Sequence, residues 1–214
     1  MKRDADRDAA LALYPVSRET GERLQIFVDL LDRWRRVVNL VSDSSFHRVW
    51  TRHVADSAQL LRLAPEARIW IDLGSGAGFP GMVIAIQLAD VKGARVHLVE
   101  SDRRKSAFLR EVARATGAPA IVHNSRIEDA GALIAGPVDA VTARALAPLP
   151  RLIALATLWL DRGTIGVFPL GSKIELDFTV IQKLSDCAFS FTESLVNRES
   201  QILIMRRKKL AGDR

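Results

Sequence analysis

The chain has 214 residues, 48% of them hydrophobic, and 31 lysines and arginines against 25 acids give a net charge of +6. That length suits one domain with a small addition and can bury a real core, while no apolar run approaches the ~20 residues of a membrane span. A single cysteine, Cys187, excludes an internal disulfide and a cysteine-rich zinc site. The charged start Met1-Lys-Arg-Asp-Ala-Asp-Arg-Asp8 stands where an export signal would need its apolar stretch, so a cytoplasmic protein is expected. Of the 31 basic residues 24 are arginine, a balance that points toward polyanionic partners.

Residues 1–65 read as a helical addition. From Arg18 to Arg36 the apolar positions Leu24, Phe27, Val28, Leu31, Trp34 and Val37 approximate the helical period. The run Asn39-Leu-Val-Ser-Asp-Ser-Ser45 breaks it with turn and cap chemistry, and Ser44 or Ser45 is expected to cap a helix through Trp50. His53 to Leu63 then continues as an amphipathic helix ended by Pro65. His53 and Asp56, three apart, share a face; they either border a substrate pocket or fasten the helical addition to a sheet. Two basic clusters fall here, Arg33, Arg35 and Arg36, then Arg48 and Arg52.

At Ile69 the pattern changes. Ile69-Trp-Ile-Asp-Leu73 is a buried strand; Gly74, Gly76 and Gly78 make a turn with no Cβ in the way; Pro80 sits where a helix from Gly81 to about Ala89 begins. Strand, glycine turn and helix N-terminus together form a nucleotide-binding device, because a ligand can approach the bare backbone and its N–H groups. The next strand, Arg95 to Glu100, ends in a carboxylate that can accept from two ribose hydroxyls. Asp72 precedes the first glycine. It would repel a pyrophosphate and attract an α-amino group, which selects S-adenosylmethionine. The overlapping Gly76-Ala-Gly-Phe-Pro-Gly81 also fits G-x-G-x-x-G and keeps a nicotinamide-dependent enzyme as an alternative. However, the only tyrosine is Tyr14, so a Tyr-x-x-x-Lys reductase site cannot exist.

Further strands are expected at 119–123, 138–142, 163–168, 187–192 and 201–206, and helices at 103–116, 148–159 and 173–184. The alternation implies an α/β Rossmann-like fold with a mostly parallel seven-stranded sheet, closed by an antiparallel hairpin. In such sheets ligands bind beyond the carboxyl ends of the strands. There the loop Asn124-Ser-Arg-Ile-Glu128 offers Ile127 and the backbone near Glu128 to an adenine, and Arg144 follows the fourth strand, able to hold a phosphate or stack on a base. Arg206-Arg207-Lys208-Lys209 makes a third basic cluster, and the three together suggest RNA. His47, His53, His97 and His123 are dispersed without ligand spacing, so no metal is expected. The fourth strand lacks the Asp/Asn-Pro-Pro-aromatic tetrapeptide that holds an exocyclic amine, and Cys187 lies far from the glycine turn. A nucleophile with nothing to deprotonate, such as guanine N7, remains. No catalytic residue is certain; Arg144 and His53 are the candidates.

These segments resemble a known family. Trp34-Arg-Arg-Val-Val-Asn-Leu-Val-Ser42, Arg52-His-Val-Ala-Asp-Ser57, Asp72-Leu-Gly-Ser-Gly-Ala-Gly-Phe-Pro-Gly81, Leu98-Val-Glu-Ser101, Lys105-Ser-Ala-Phe-Leu109, Ser125-Arg-Ile-Glu128 and Thr142-Ala-Arg-Ala-Leu146 are similar, in order, to the bacterial 16S rRNA guanine-N7 methyltransferases, the glucose-inhibited division B family. The resemblance implies a class I S-adenosylmethionine-dependent methyltransferase domain over 66–214. Its implied substrate is a guanine in the 530 loop of 16S rRNA, at position 527 of that RNA; the expected partner is 16S rRNA or the small ribosomal subunit, and the expected state is a monomer. By matching position, Gly74, Phe79, Ile127, Glu128 and Arg144 would contact the cofactor. One departure stands out: the family's usual lysine before glycine after the fifth strand is Leu170 here, with Lys173 nearby. That change supports the alternative of an RNA-binding module with a vestigial cofactor site.

Overall fold

The computed structural model describes residues 2–171 and 185–208. Helices α1 (Lys2–Leu13), α2 (Arg18–Trp34), α3 (Asp43–Phe46), a π-helical turn (Trp50–Ala55), α4 (Asp56–Ala58) and α5 (Leu60–Leu63) precede the first strand. After them come β1 (Ile69–Leu73), α6 (Gly81–Gln87), β2 (Arg95–Val99), α7 (Arg103–Thr116), β3 (Ala120–His123), a 3₁₀ turn (Ile127–Asp129), α8 (Ala130–Leu133), β4 (Ala140–Thr142), α9 (Leu149–Leu160), β5 (Ile165–Leu170), β6 (Cys187–Glu193) and β7 (Gln201–Arg207). The helix expected over 173–184 lies outside the described residues.

The seven strands run in the order β3-β2-β1-β4-β5-β7-β6. The first five are parallel, and β7 lies antiparallel between β5 and β6. The order reverses between β1 and β4, which places a crevice beyond their carboxyl ends. Alternate residues of β1 enter opposite cores. Trp70 joins Leu24, Phe27, Trp50, Met82 and Phe108 beneath α2, α6 and α7, whereas Ile71 and Leu73 join Leu152, Trp159 and Phe168 beneath α9. The N-terminal helices therefore share a core with the sheet.

Helix ends follow their chemistry. Ser17 caps α2 by accepting from Thr20 N–H at 3.1 Å. Asp102 caps α7 by accepting from Arg104 and Lys105 N–H at 2.7 and 3.0 Å, and Gly117, with φ of 66°, closes it. Two expectations are corrected. Ser42 caps α3, not Ser44 or Ser45. Residues 53–63 form a π turn and two short helices instead of one helix. The cause is tertiary: Asp6 of α1 accepts from the N–H groups of Trp50 and Thr51 at 2.9 and 3.3 Å and from Thr51 Oγ1 at 2.6 Å.

Candidate functional site

The loop after β1 is tied down by backbone bonds. The N–H groups of Gly74 and Ser75 both donate to the carbonyl of Val99 at 2.9 Å, which draws the loop over the end of β2. Gly76 N–H donates to Glu100 Oε2 at 2.9 Å, and Asp102 N–H donates to Glu100 Oε1 at 2.7 Å. Glu100 thus clamps the turn and still borders the space above it. A Cβ at Gly74 would stand 2.7 Å from Leu146 Cδ1, and one at Gly78 would stand 2.9 Å from Met82 Cβ. Gly76 differs: its φ is +53°, and a Cβ there would meet nothing nearer than the Gly74 carbonyl at 3.8 Å. Among the described residues, its chain neighbours aside, nothing else comes within 4 Å of that Cβ position.

Beyond the strand ends is a cavity of about 450 Å³ walled by Gly74, Gly76, Glu100, Ile127, Arg144 and Leu146. Glu128 also lines it, largely exposed and 3.4 Å from Arg151. Asp72, Gly78 and Phe79 are not among its lining residues. Asp72 is fully buried, and its Oδ2 accepts from Gly81 N–H at 3.1 Å at the start of α6. Its Oδ1 has no partner among the described residues, and burial pushes the carboxyl up to about 7. Asp72, expected from its position to repel a pyrophosphate and attract an α-amino group, is thus a buried carboxyl close to the loop. Phe79 packs 5.1 Å from the Phe27 ring and 5.0 Å from the His53 ring, stacked on the latter.

Arg144 reaches this cluster from the other side. Its guanidinium lies 5.2 Å from the Phe79 centroid and 3.6 Å from Asp56 Oδ2, beside the Arg52 carbonyl. The next residue, Ala145, has φ of 51°, a left-handed conformation rare for a residue with a Cβ, and this bend sends Leu146 back toward Gly74. Burial, with Arg144 and Arg52 adding repulsion, pulls the His53 imidazole down to about 3, so it is neutral across the physiological range. Neither of its ring nitrogens has a partner among the described residues. Of the two open readings for the His53–Asp56 pair, fastening describes Asp56, whose Oδ1 accepts from Ser194 Oγ at 2.9 Å.

Sequence reasoning did not single out Ser125 or Leu146. Ser125 Oγ is buried, unpartnered among the described residues, and on a residue that lines the cavity. Both stand inside segments quoted for the resemblance, so position relative to the strand ends was the available signal. Among the described residues no group of three histidines, cysteines or acids is placed to hold a metal. His97 and His123 are partnered with each other, Nδ1 to Nε2, at 2.9 Å.

The basic residues divide. Arg33, Arg36, Arg48, Arg52, Arg206 and Lys208 are exposed. Arg35 is not free for a polyanion: it pairs with Asp32 at 2.8 Å and with Asp43, and stacks 4.1 Å from the Phe46 centroid. Arg207 likewise pairs with Asp161 at 2.7 Å and Asp186 at 3.5 Å. Lys209 and Lys173 lie outside the described residues, and Leu170 ends β5 opposite Gln201.

A sheet of this order, reversing beside a glycine turn and ending in an antiparallel hairpin, is the class I S-adenosylmethionine-dependent methyltransferase fold. The chain superposes on a mutant of MtNAS solved in complex with S-adenosylmethionine (TM-score 0.55, 14% identity, 96% of this chain and 86% of that one). It also superposes on an rRNA methylase from Streptococcus thermophilus (TM-score 0.52, 15% identity, 74% and 98%). A family model described as GidB, rRNA small subunit methyltransferase G, matches residues 20–179. The ribosomal RNA small subunit methyltransferase G of a Bradyrhizobium strain is 55% identical over 175 residues, 82% of this chain and 79% of its own length. The chain belongs to the rRNA small subunit methyltransferase G family.

Proposed function

We infer that this protein transfers a methyl group from S-adenosylmethionine to N7 of a guanine in the 530 loop of 16S rRNA, acting as a monomer in the cytoplasm. The observation that carries the reading is the cavity beside Gly76, roomy enough for a nucleoside and set in a member of this family. The residues present fit the cofactor. The bare Cα of Gly76 leaves a space that a side chain would fill, and Ser125 Oγ and Asp72 Oδ1 are buried polar atoms without a partner among the described residues. Glu100 keeps lone pairs for ribose hydroxyls, Ile127 and the backbone at Glu128 flank an adenine, and Asp72 draws the ammonium end toward the loop. Two carboxyl groups under one glycine turn suit a cationic, phosphate-free ligand better than a pyrophosphate, which weighs against a nicotinamide.

When bound, the cofactor supplies a methyl group already activated by its sulfonium. The chain's own contribution is then alignment and exclusion of water. Guanine N7 carries no proton, so no base is required, and His53, neutral with both nitrogens buried, is not placed as one. Positive charge passes to the purine as the methyl moves, so a free cation near N7 would oppose the reaction. The Arg144 charge is offset by Asp56, whose Oδ2 lies 3.6 Å from the guanidinium. Arg33, Arg36, Arg48, Arg52, Arg206 and Lys208 meet RNA phosphates. The helices of 1–65 serve the 66–214 fold as an extension of its core, not as a separate unit.

The test is tritium transfer from labelled S-adenosylmethionine to small subunits purified from a strain lacking the enzyme. Label confined to 16S rRNA, at a base that becomes labile to borohydride and aniline, is the expected result. Cofactor binding without transfer would favour the RNA-binding module with a vestigial site.

A further inference from the structure

Asp56 is where three distant parts of the chain meet. It sits in the helical addition, yet its two oxygens point to different neighbours. Oδ1 accepts from Gln59 Nε2 at 2.9 Å and from Ser194 Oγ at 2.9 Å, in the loop joining β6 to β7. Oδ2 faces the Arg144 guanidinium at 3.6 Å on the cavity wall. Gln59 and Ser194 are each only 3% exposed, so their polar atoms need protein partners, and they have them. Gln59 Oε1 accepts from Leu195 N–H at 2.9 Å, and Ser194 Oγ accepts from Val196 N–H at 3.1 Å.

We propose that Asp56 is a positioning residue for Arg144, and that Gln59 and Ser194 position Asp56, so that the β6–β7 loop sets the guanidinium at the cavity. Two neutral donors on one carboxylate oxygen fix the rotation of that carboxylate and leave the other oxygen for the cation. Charge-assisted bonds of this kind hold direction as well as energy. On its opposite side Arg144 is confined by the Phe79 ring and by the left-handed turn at Ala145. The carboxylate also offsets the guanidinium's charge next to a reaction that delivers positive charge to a purine. The proposal deepens the methyl-transfer reading and rests on it.

A double-mutant cycle separates positioning from stapling of the two segments. Asp56→Asn keeps the side chain's shape and an acceptor for Gln59 and Ser194, but removes the charge facing Arg144. Single-turnover transfer to small subunits should fall about tenfold through loss of the ion pair that holds the guanidinium, and Ser194→Ala should fall less. In an Arg144→Ala background both losses should shrink to under about twofold, because the residue they act through is gone. Each variant is also titrated with S-adenosylhomocysteine, where the same non-additivity is expected, and its melting temperature is recorded. Equal losses in wild-type and Arg144→Ala backgrounds would overturn the proposal and leave a structural staple. Should Asp56→Asn not fold, Ser194→Ala carries the cycle alone. If wild-type enzyme transfers no methyl group, the function reading fails, and the S-adenosylhomocysteine cycle still decides the network.

Discussion

Asp72→Asn should stabilise the ligand-free protein at alkaline pH and weaken its cofactor affinity. Burial raises the Asp72 carboxyl from 3.8 to about 7, only partly offset by the hydrogen bond from Gly81 N–H and by Arg144. Below pH 3.8 the folded and unfolded chains both hold the proton. Between 3.8 and 7 the unfolded chain has lost it and the folded chain keeps it, so stability falls as pH rises, by about 1.4 kcal/mol per unit. Over roughly three units the loss reaches about 4 kcal/mol, and above about 7 it is constant. Asparagine has the same shape and can still accept from Gly81 N–H, but its amide nitrogen inherits the unpartnered position, at a cost of about 1–3 kcal/mol. The variant should therefore be less stable than wild type at about pH 4 and about 1–3 kcal/mol more stable at about pH 8, measured by urea denaturation. Calorimetry with S-adenosylhomocysteine should show wild type releasing up to about half a proton near pH 7, as the ligand's ammonium draws the carboxyl into its charged form. The variant should release none and bind more weakly. A pH-independent stability difference would refute the buried-proton argument, and unchanged affinity would refute the amino-group assignment.

Gly76 in the turn and Gly81 at the start of α6 should fail differently. Gly76→Ala should fold, with strain of about 1 kcal/mol from its positive φ, yet lose at least about tenfold in S-adenosylhomocysteine affinity. Gly81→Ala would set a Cβ 2.5 Å from Asp72 Oδ2 and Leu98 Cδ2, and should lose about 1–3 kcal/mol of stability; a denaturation series distinguishes them. Wild type and His53→Ala should both show single-turnover rates flat from about pH 6 to 9, since the imidazole stays neutral there; a tenfold rise per unit lost in the variant would reveal a base. Arg206→Ala with Lys208→Ala should lower the salt slope of RNA binding by about 1–2, whereas Arg207→Ala should alter stability, not slope, because Asp161 and Asp186 hold it.

Much of the fold was legible because its signals are local. The run Ile69–Leu73 stops at the first glycine, and strand β1 has those bounds. Asp102 and Gly117 punctuate α7 at the ends that spacing predicts. The N-terminal region was less legible because long-range bonds decide it. Nothing near residue 50 announces that Asp6, 44 positions earlier, will take the N–H groups of Trp50 and the Thr51 hydroxyl and open the helix into a wide turn. Arg33, Arg35 and Arg36 look alike in sequence. Asp32 one turn earlier, and the approach of Asp43 and Phe46 after the turn, remove Arg35 from the exposed set.

The acids under the glycine loop show where reading a site from sequence stops. Asp72 and Glu100 both stand at the carboxyl end of a parallel strand, one just inside it and one just past it, and spacing alone assigns each to the ligand. Their surroundings part them. Glu100 commits one lone pair of each oxygen to backbone N–H groups of the turn and its flank, and stays at the cavity edge. Asp72 is turned toward α6, where the Cβ-free Gly81 lets the carboxylate reach the helix's first N–H. That leaves one oxygen with no partner among the described residues in a fully buried place, an arrangement whose cost is offset when a cation arrives. A carboxylate already satisfied by the protein would have less to gain from the ligand's ammonium. Selectivity for a phosphate-free cationic cofactor then rests on an acid the fold leaves half satisfied, a property set by packing against Gly81 and not by the motif's letters.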